Sequence, residues 1–335
     1  MSDVAARAGV STATVSMVLN GVNTTRISPQ TQQRVREAVE AVGYKPNSVA
    51  RSLRTQQTRM VGLISDQIAT TPFAGRMLAG ANDVAREHGH LMILVDTEGD
   101  VDAERQALHG LSGQQVDAMI YACMWHRVVE VPEGLPEDAV LLDCVPAAGD
   151  RAAVVPDERA GGMAAVRELV AAGHRRIAFL DAEERFDLVA SRLRYEGYLR
   201  VLADAGIRPD PALHACAEPV AGGGREVARR LLDLPAERRP TAMFCFNDRM
   251  AMGAYAVAHQ RGLLVLRDLS IVGYDDQQLV AAELDPPLTT VALPHYEMGR
   301  WAMEVALGLR QADPSVPYLM PCPIVRRASV GPPPV

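Results

Sequence analysis

At 335 residues the chain is too long for one ordinary domain and accommodates two or three. A hydrophobic fraction of 48% supplies a large core, but aromatics make up only 4%, so that core must be built from Val, Leu, Ile, Ala and Met. The net charge of −7 argues against a nucleic-acid partner only until its distribution is read: residues 1–59 carry eight Arg or Lys against three Asp or Glu, a balance of +5 that leaves −12 for the rest. Five cysteines, an odd number without C-x-x-C spacing, indicate neither a disulfide framework nor a zinc site, and each falls in or near an apolar run. No stretch approaches the roughly 20 apolar residues of a membrane span, and no basic segment followed by an apolar run opens the chain, so a cytoplasmic location is expected.

The chain begins with Asp3-Val-Ala-Ala-Arg-Ala-Gly-Val-Ser-Thr-Ala-Thr-Val-Ser-Met-Val-Leu-Asn20. Two short apolar-periodic segments flank Gly9, which suits a tight turn between helices. Ser11 is a good N-cap for the second segment. Val15, Val18 and Leu19 share one face of it, leaving Thr12, Ala13, Ser16 and Met17 on the other. A second helix that opens with small polar side chains behind a glycine turn has the layout of a DNA-reading helix-turn-helix. A third helix is predicted from Ser28 as N-cap and Pro29 in the first turn, through Val35, Ala38, Val39 and Val42, to a stop at Gly43. Beyond it, Tyr44-Lys-Pro-Asn-Ser-Val-Ala-Arg-Ser-Leu-Arg-Thr55 holds a short helix capped by Asn47, with Ala50 and Leu53 on one face and Arg51 and Arg54 alongside.

These segments resemble the amino terminus of the lactose-repressor/galactose-repressor (LacI/GalR) family of bacterial transcription regulators, whose pattern runs D-V-A-x-x-A-G-V-S-x-x-T-V-S-x-V-L-N-G and continues into a hinge helix N-x-x-A-x-x-L. The resemblance implies DNA contacts from Ser11, Thr12, Ala13, Thr14, Ser16, Met17 and Asn20 in the reading helix, and from Asn47, Ala50, Arg51, Leu53 and Arg54 in the hinge. Leu53 is then a wedge that opens a minor-groove base step at the dyad of a dimer. Many family members carry an arginine or another polar side chain where Met17 stands. Methionine cannot make a bidentate contact to guanine, so readout there falls to methyl contacts and DNA shape.

From Arg59 onward, strand-like apolar runs (Met60–Ile64, Leu91–Val95, Ala118–Ala122, Val140–Cys144, Ile177–Leu180, Ala242–Phe246, Ser270–Gly273) alternate with helical segments such as Met77–His88, Gly162–Ala172, Arg192–Ala205 and Met250–Arg261. Such alternation implies doubly wound parallel sheets, and about ten units exceed one sheet. The expected fold class is therefore α plus α/β: a three-helix helix-turn-helix domain over 1–45, a hinge helix and linker over 46–57, and a body over 58–335. The resemblance makes that body periplasmic-binding-protein-like, with lobes of about 58–157 with 288–318 and about 158–286 with 319–330. It implies three crossings between the lobes, placed near Val155–Glu158, Asp285–Thr290 and Pro317–Cys322.

Ligands of open α/β sheets bind beyond the carboxyl ends of the strands. There stand Phe244-Cys-Phe-Asn-Asp-Arg-Met-Ala-Met252, Ile271-Val-Gly-Tyr-Asp-Asp276 and Arg192-Leu-Arg-Tyr-Glu-Gly-Tyr198, which look like the family's N-D-x-M-A, V-G-x-D-D and R-x-x-G-[YF] signatures. The match makes Arg194, Asn247 and Asp275 the effector contacts, while Asp248 and Asp276 read as helix caps and Arg192 as half of an ordinary ion pair. A guanidinium, an amide and a carboxylate together suit neighbouring hydroxyls. Asp157, in a D-[NE]-x-x-G-like crossover, caps the following helix. Asp66, Phe73 and Trp125 follow strands of the first lobe and are candidates to face the ligand. Near Pro219, where some sugar-binding relatives carry an aromatic, this chain has none. Gly222-Gly-Gly224 lacks the following Lys-Ser/Thr of a phosphate loop and reads as a flexible turn.

No G-x-S-x-G, H-E-x-x-H or P-loop is present, and the eight histidines form no pair at ligand spacing, so no enzyme activity, metal or cofactor is expected. The carboxyl end, Ser329-Val-Gly-Pro-Pro-Pro-Val335, has no apolar heptads, which favours a homodimer. The expected partners are a pseudo-palindromic double-stranded operator, a second copy of the chain and a small effector, a sugar or related polyol. The alternative reading is a solute-binding protein of the same two-lobed fold.

Overall fold

A computed structural model describes residues 1–20, 24–44, 57–68, 75–186 and 188–334. Contacts divide the chain into two units, Met1–Thr58 and Arg59–Val335. Asn47, Ala50, Arg51, Leu53, Arg54 and Phe73 lie outside the described residues.

In the first unit, α1 (Ser2–Ala8) ends at Gly9 in the left-handed region, φ 64°, where a side chain would be strained. Helix α2 (Thr12–Asn20) follows, and the Ser11 hydroxyl accepts from the Thr14 amide at 3.1 Å, as its cap position requires. Helix α3 (Pro29–Val42) is capped by Ser28, whose hydroxyl accepts from Thr31 N at 3.2 Å, and it stops at Gly43. Val4, Ala5, Ala8, Val15, Val18, Val35 and Ala38 form one small core. Helical spacing also suggested Val42 for that core, but it is exposed at the end of the last turn.

The second unit contains two six-stranded sheets. The first is built from β1 (Met60–Ser65), β2 (Leu91–Asp96), β3 (Ala118–Val129), β4 (Val140–Pro146), β5 (Ala153–Pro156) and β11 (Tyr318–Met320), in the order β11-β5-β4-β3-β1-β2 and parallel throughout. Helices α4 (Gly75–Glu87) and α5 (Val101–Gly113) are wound onto it. The second sheet has the order β12-β10-β9-β8-β6-β7, from β6 (Ile177–Ala182), β7 (His214–Ala217), β8 (Ala242–Cys245), β9 (Ser270–Asp275), β10 (Thr289–Ala292) and β12 (Ile324–Val325), with only β12 antiparallel. Its helices are α6 (Glu158–Ala171), α7 (Val189–Asp204), α8 (Ala221–Leu232) and α9 (Asp248–Gln260). Helix α10 (His295–Ala306) packs on α4 and so returns to the first lobe.

The crossings follow from sheet membership. The first lies at Asp157, between β5 and α6, inside the predicted window. The second lies between Ala292 and His295 rather than at Asp285–Thr290. The prolines after Asp285 look like a boundary in sequence, but Thr289–Ala292 pairs with β9 and β12 and stays in the second lobe. The third lies between Met320 and Ile324, because Tyr318–Met320 still pairs with β5. Residues 288–292 thus belong to the second lobe and 319–320 to the first, which corrects the predicted lobe limits.

Gly222-Gly-Gly224 is not a turn. All three residues lie in the first turns of α8, which crosses α9 closely. A Cβ on Gly224 would meet Met250 O at 2.2 Å, and one on Gly253 would meet Ala221 O at 2.3 Å. These glycines serve backbone contact between helices, a demand that local sequence does not advertise. Gly224→Ala should therefore destabilise the second unit by about 1–3 kcal/mol through overpacking, seen as a lower urea midpoint with an unchanged slope. A midpoint equal to wild type would mean that the two helices are free to separate.

Candidate functional site

Two surfaces carry functional chemistry. On α2, Val15 and Val18 are buried, while Thr12, Ala13 and Met17 are exposed and Ser16 is half-buried. Met17, at 40% exposure, does not fill the core. Its neighbours Ser11 and Thr14 hydrogen-bond each other side chain to side chain at 3.0 Å as part of the cap.

The second surface is a cavity of about 420 Å³ in the second unit, at the carboxyl ends of strands from both sheets. That volume is in the range of small-molecule sites. Four of the six sequence candidates line it: Trp125, Arg194, Asn247 and Asp275. Asp66 does not. Its carboxylate accepts from Met124 N at 2.9 Å and from Gln67 N at 2.8 Å, and pairs with Arg127 at 2.9 Å. A carboxylate just after a strand can serve its own chain as readily as a ligand, and this one holds the segment that carries Trp125. That segment is irregular: Ala122 pairs with Leu142 but Arg127 with Cys144, so β3 bulges there and presents Trp125 and His126 to the cavity.

Arg194 is only 3% exposed and Glu158 only 2%. Nε and Nη2 of Arg194 donate to the two Glu158 oxygens at 2.7 and 3.0 Å, and Nη1 donates to the Phe246 carbonyl. The guanidinium also lies 3.5 Å from the Tyr274 ring centroid and 4.6 Å from that of Phe246. Burial opposes its charge, but Glu158 and Tyr274 outweigh burial and hold the pKa above its ordinary value. Asp275 Oδ1 lies 3.9 Å from Arg194 Nη2, and its other oxygen accepts from Gln277 Nε2 at 2.8 Å. Burial raises the Asp275 pKa to about 6 against the opposing pull of Arg194 and Gln277.

Asn247 has a structural duty as well as a place on the wall. Its Oδ1 accepts from Met250 N at 2.8 Å, making it the N-cap of α9, and its Nδ2 donates to the Pro219 carbonyl at 3.0 Å. The cap is thus Asn247 and not Asp248. Asp248 is buried and accepts from Thr290 Oγ1 at 2.6 Å and from Gln277 N at 2.7 Å, which joins β10 to the turn after β9. Asp276 caps no helix either; it pairs with Arg327 at 2.7 Å. Arg192 forms the ordinary exposed pair expected of it, with Glu196, and Asp157 caps α6 through Ala160 N at 3.0 Å.

Sequence reasoning missed Glu158, His126 and Asp143, which also line the cavity. Asp143 Oδ1 and His126 Nδ1 are buried without a protein hydrogen-bond partner. Burial, reinforced by Glu158, pushes the Asp143 pKa well above its ordinary value. Burial also lowers the His126 pKa and keeps its imidazole neutral. The available signal was the single Asp inside the apolar run Val140–Cys144: a lone charge in a central strand needs a reason. Glu158 could have been found as the counter-charge that a buried Arg194 demands.

Residues 1–47 match the model for bacterial regulatory proteins of the lacI family, and residues 166–330 match that for a periplasmic binding protein-like domain. The chain is 33% identical over 312 residues to the HTH-type transcriptional repressor PurR of Aliivibrio fischeri, covering 92% of this chain and 90% of that one. It is 34% identical over 310 residues to the ribose operon repressor of Escherichia coli, with 92% of each covered. Among solved structures it is similar to the Lac repressor dimer bound to operator and the anti-inducer ONPF, with 26% identity, a TM-score of 0.74 and 98% of both chains covered. With a helix-turn-helix unit ahead of a two-lobed body that holds a cavity lined by charged and apolar side chains, the chain belongs to the LacI family of bacterial DNA-binding transcriptional regulators.

Proposed function

We propose that the chain is a cytoplasmic, non-catalytic repressor that binds a pseudo-palindromic operator as a homodimer, and that a neutral polyhydroxylated molecule, a sugar or related polyol, changes its operator affinity. The observation that carries the effector class is the balance of charge in the cavity. The lining carries three guanidiniums, of Arg127, Arg194 and Arg249, against four carboxyl groups, of Asp143, Glu158, Glu218 and Asp275, and Arg127 and Arg194 are each already paired with an acid. No cationic excess is left for a phosphate or carboxylate, whereas alternating donors and acceptors beside the Trp125 and Phe246 rings suit hydroxyls on an apolar ring face. Three of the five Arg194 N–H groups are used within the protein, which leaves two for a ligand.

In this reading Ser11, Thr12, Ala13, Thr14, Ser16, Met17 and Asn20 meet the major groove. Asn47, Ala50, Arg51, Leu53 and Arg54 meet the minor groove at the dyad. Ligand acts only through unequal affinity for the states that bind and release DNA.

A mobility-shift assay on a site selected from random duplexes tests the reading. The full chain should retard the selected site and a chain lacking residues 1–57 should not. Equal retardation, or none by either, would favour the solute-binding alternative. Within α2, Met17→Arg should change the selected half-site toward guanine without unfolding the unit, because arginine adds the donors that methionine lacks. The same consensus from both proteins would take Met17 out of base readout.

For the cavity, a thermal-shift screen of monosaccharides and polyols should find a stabiliser of wild type. Asp275→Asn should weaken it by about 10- to 100-fold, the loss of one charged hydrogen-bond partner at about 1.5–3 kcal/mol. Arg194→Ala is a poorer probe, because stranding Glu158 in the interior should cost about 3–5 kcal/mol of stability. The Asp275 carboxyl also has a pH signature. Its folded pKa is raised from 3.8 to about 6, so its stabilising contribution is full below about pH 4 and is lost as the pH climbs through about 6. The wild-type stability minus that of Asp275→Asn should fall across this window and level off above about pH 7. A pH-independent difference would place the Asp275 carboxyl in water.

A further inference from the structure

Outside the effector cavity, the free edge of the second sheet brings together three groups of different chemistry. Strands β6 and β7 pair with Phe179 opposite His214 and Asp181 opposite Cys216. Residues two apart on a strand share a face, so His214 and Cys216 project to the same side as Asp181. Their ligand atoms all lie within 4.8 Å of one another. His214 Nε2 is 3.0 Å from Asp181 Oδ2 and 3.8 Å from Cys216 Sγ. Both partners thus converge on one nitrogen, and a single proton on Nε2 cannot serve both well. A cation can. With Zn–N and Zn–O of about 2.0–2.1 Å and Zn–S of about 2.3 Å, tetrahedral angles put N and O about 3.3 Å apart and N and S about 3.6 Å apart, close to what the strand pairing imposes.

The surroundings hold these groups in place. Asp181 Oδ1 accepts from Ser191 Oγ at 2.8 Å and from Ala182 N at 2.7 Å, which leaves Oδ2 directed at the imidazole. The imidazole lies face to face with Tyr195 at 4.1 Å and 15°. Such outer contacts are what orient the ligands of a metal site. The carboxylate is buried, while His214 and Cys216 are half-buried, so solvent reaches the open side.

We propose that Asp181, His214 and Cys216 form a binding site for a borderline-soft divalent cation of the zinc type, with the fourth position left to water. On binding, the Cys216 thiol gives its proton to solvent and binds as thiolate, and the Nε2 proton of His214 also passes to solvent, so that the neutral imidazole binds through Nε2 and keeps its remaining proton on Nδ1. The cation ties β6 to β7. Through Ser191 and Tyr195 it also bears on α7, the helix that carries Arg194 into the cavity.

The test uses the full chain, reduced and stripped of metal with a chelator, and cobalt(II) as the spectroscopic probe. Expected are one cobalt per chain, a thiolate-to-cobalt charge-transfer band with tetrahedral visible bands, displacement by zinc, and a higher Tm with zinc. Cys216→Ser should remove the charge-transfer band, His214→Gln should abolish tight binding, and Ser191→Ala should weaken it by about 10- to 100-fold. His214→Gln serves alone if Cys216→Ser fails to fold. An octahedral aquo-like spectrum, a band that survives Cys216→Ser, or a zinc-induced Tm rise that is equal in His214→Gln would each overturn the site and leave a plain Asp–His ion pair.

Discussion

A guanidinium buried at the carboxyl edge of a sheet must find its counter-charge within the protein, and the bidentate pair of Arg194 with Glu158 is the arrangement on which the cavity depends. Removing two charges from water costs several kcal/mol each, which only close geometry and further hydrogen bonds recover. The chain supplies both: two N–H donors directed at two carboxylate oxygens, a third at the Phe246 carbonyl, and the Tyr274 face beneath. Because Glu158 opens α6, Arg194 rides on α7 and Phe246 directly follows β8, the hydrogen bonds of one guanidinium tie three elements together.

The alternating body was legible because its central strands, buried on both faces, form largely apolar runs. Every run picked out in the sequence forms a strand, and the capping residues Ser11, Ser28 and Asp157 act as their chemistry dictates. What escaped was set by tertiary contact. Strands β5, β7, β10, β11 and β12 have two to four residues and draw their pairing from neighbours. Gly222, Gly223 and Gly224 look like a turn but form a helix, in which Gly224 touches the backbone of α9 at Met250, Gly223 touches the chain just before its own helix at Glu218, and only Gly222 has room for a side chain. The second crossing escaped because two prolines after Asp285 mark a bend inside a lobe with the same letters that would mark a boundary between lobes.

The site divides in the same way. Arg194, Asn247 and Asp275 could be read from motifs; Asn247 and Asp275 stand where a helix begins and a strand ends, and Arg194 lies in the second turn of α7. Asp66 has the same sequence credentials and a different role, because only the fold decides whether a carboxylate after a strand meets ligand or its own backbone. His126 and Asp143 were missed for the opposite reason, although the lone acid in its apolar run was a signal for Asp143. They sit within strands, where pattern reading expects packing, and it takes the bulge in β3 and the left-handed backbone of Asp143, φ 59°, to bring them to the cavity.

That division by lobe bears on how ligand and DNA are coupled in the mechanism we propose. Arg194, Glu158 and Asp275 belong to the second lobe and already satisfy much of one another's bonding. Asp143 and His126 belong to the first lobe and have polar atoms that no protein group meets. A ligand held only by the second lobe would bind equally well whatever the first lobe did, and could shift nothing. One that also answers Asp143 and His126 gains those bonds only when the lobes are closed upon it. The unmet groups of the first lobe, and not the better-formed ion pair of the second, are then where differential affinity arises, because that is where a hydrogen bond is gained on closure. The Arg194–Glu158 pair makes this possible by staying fixed, as a rigid wall against which closure can be felt.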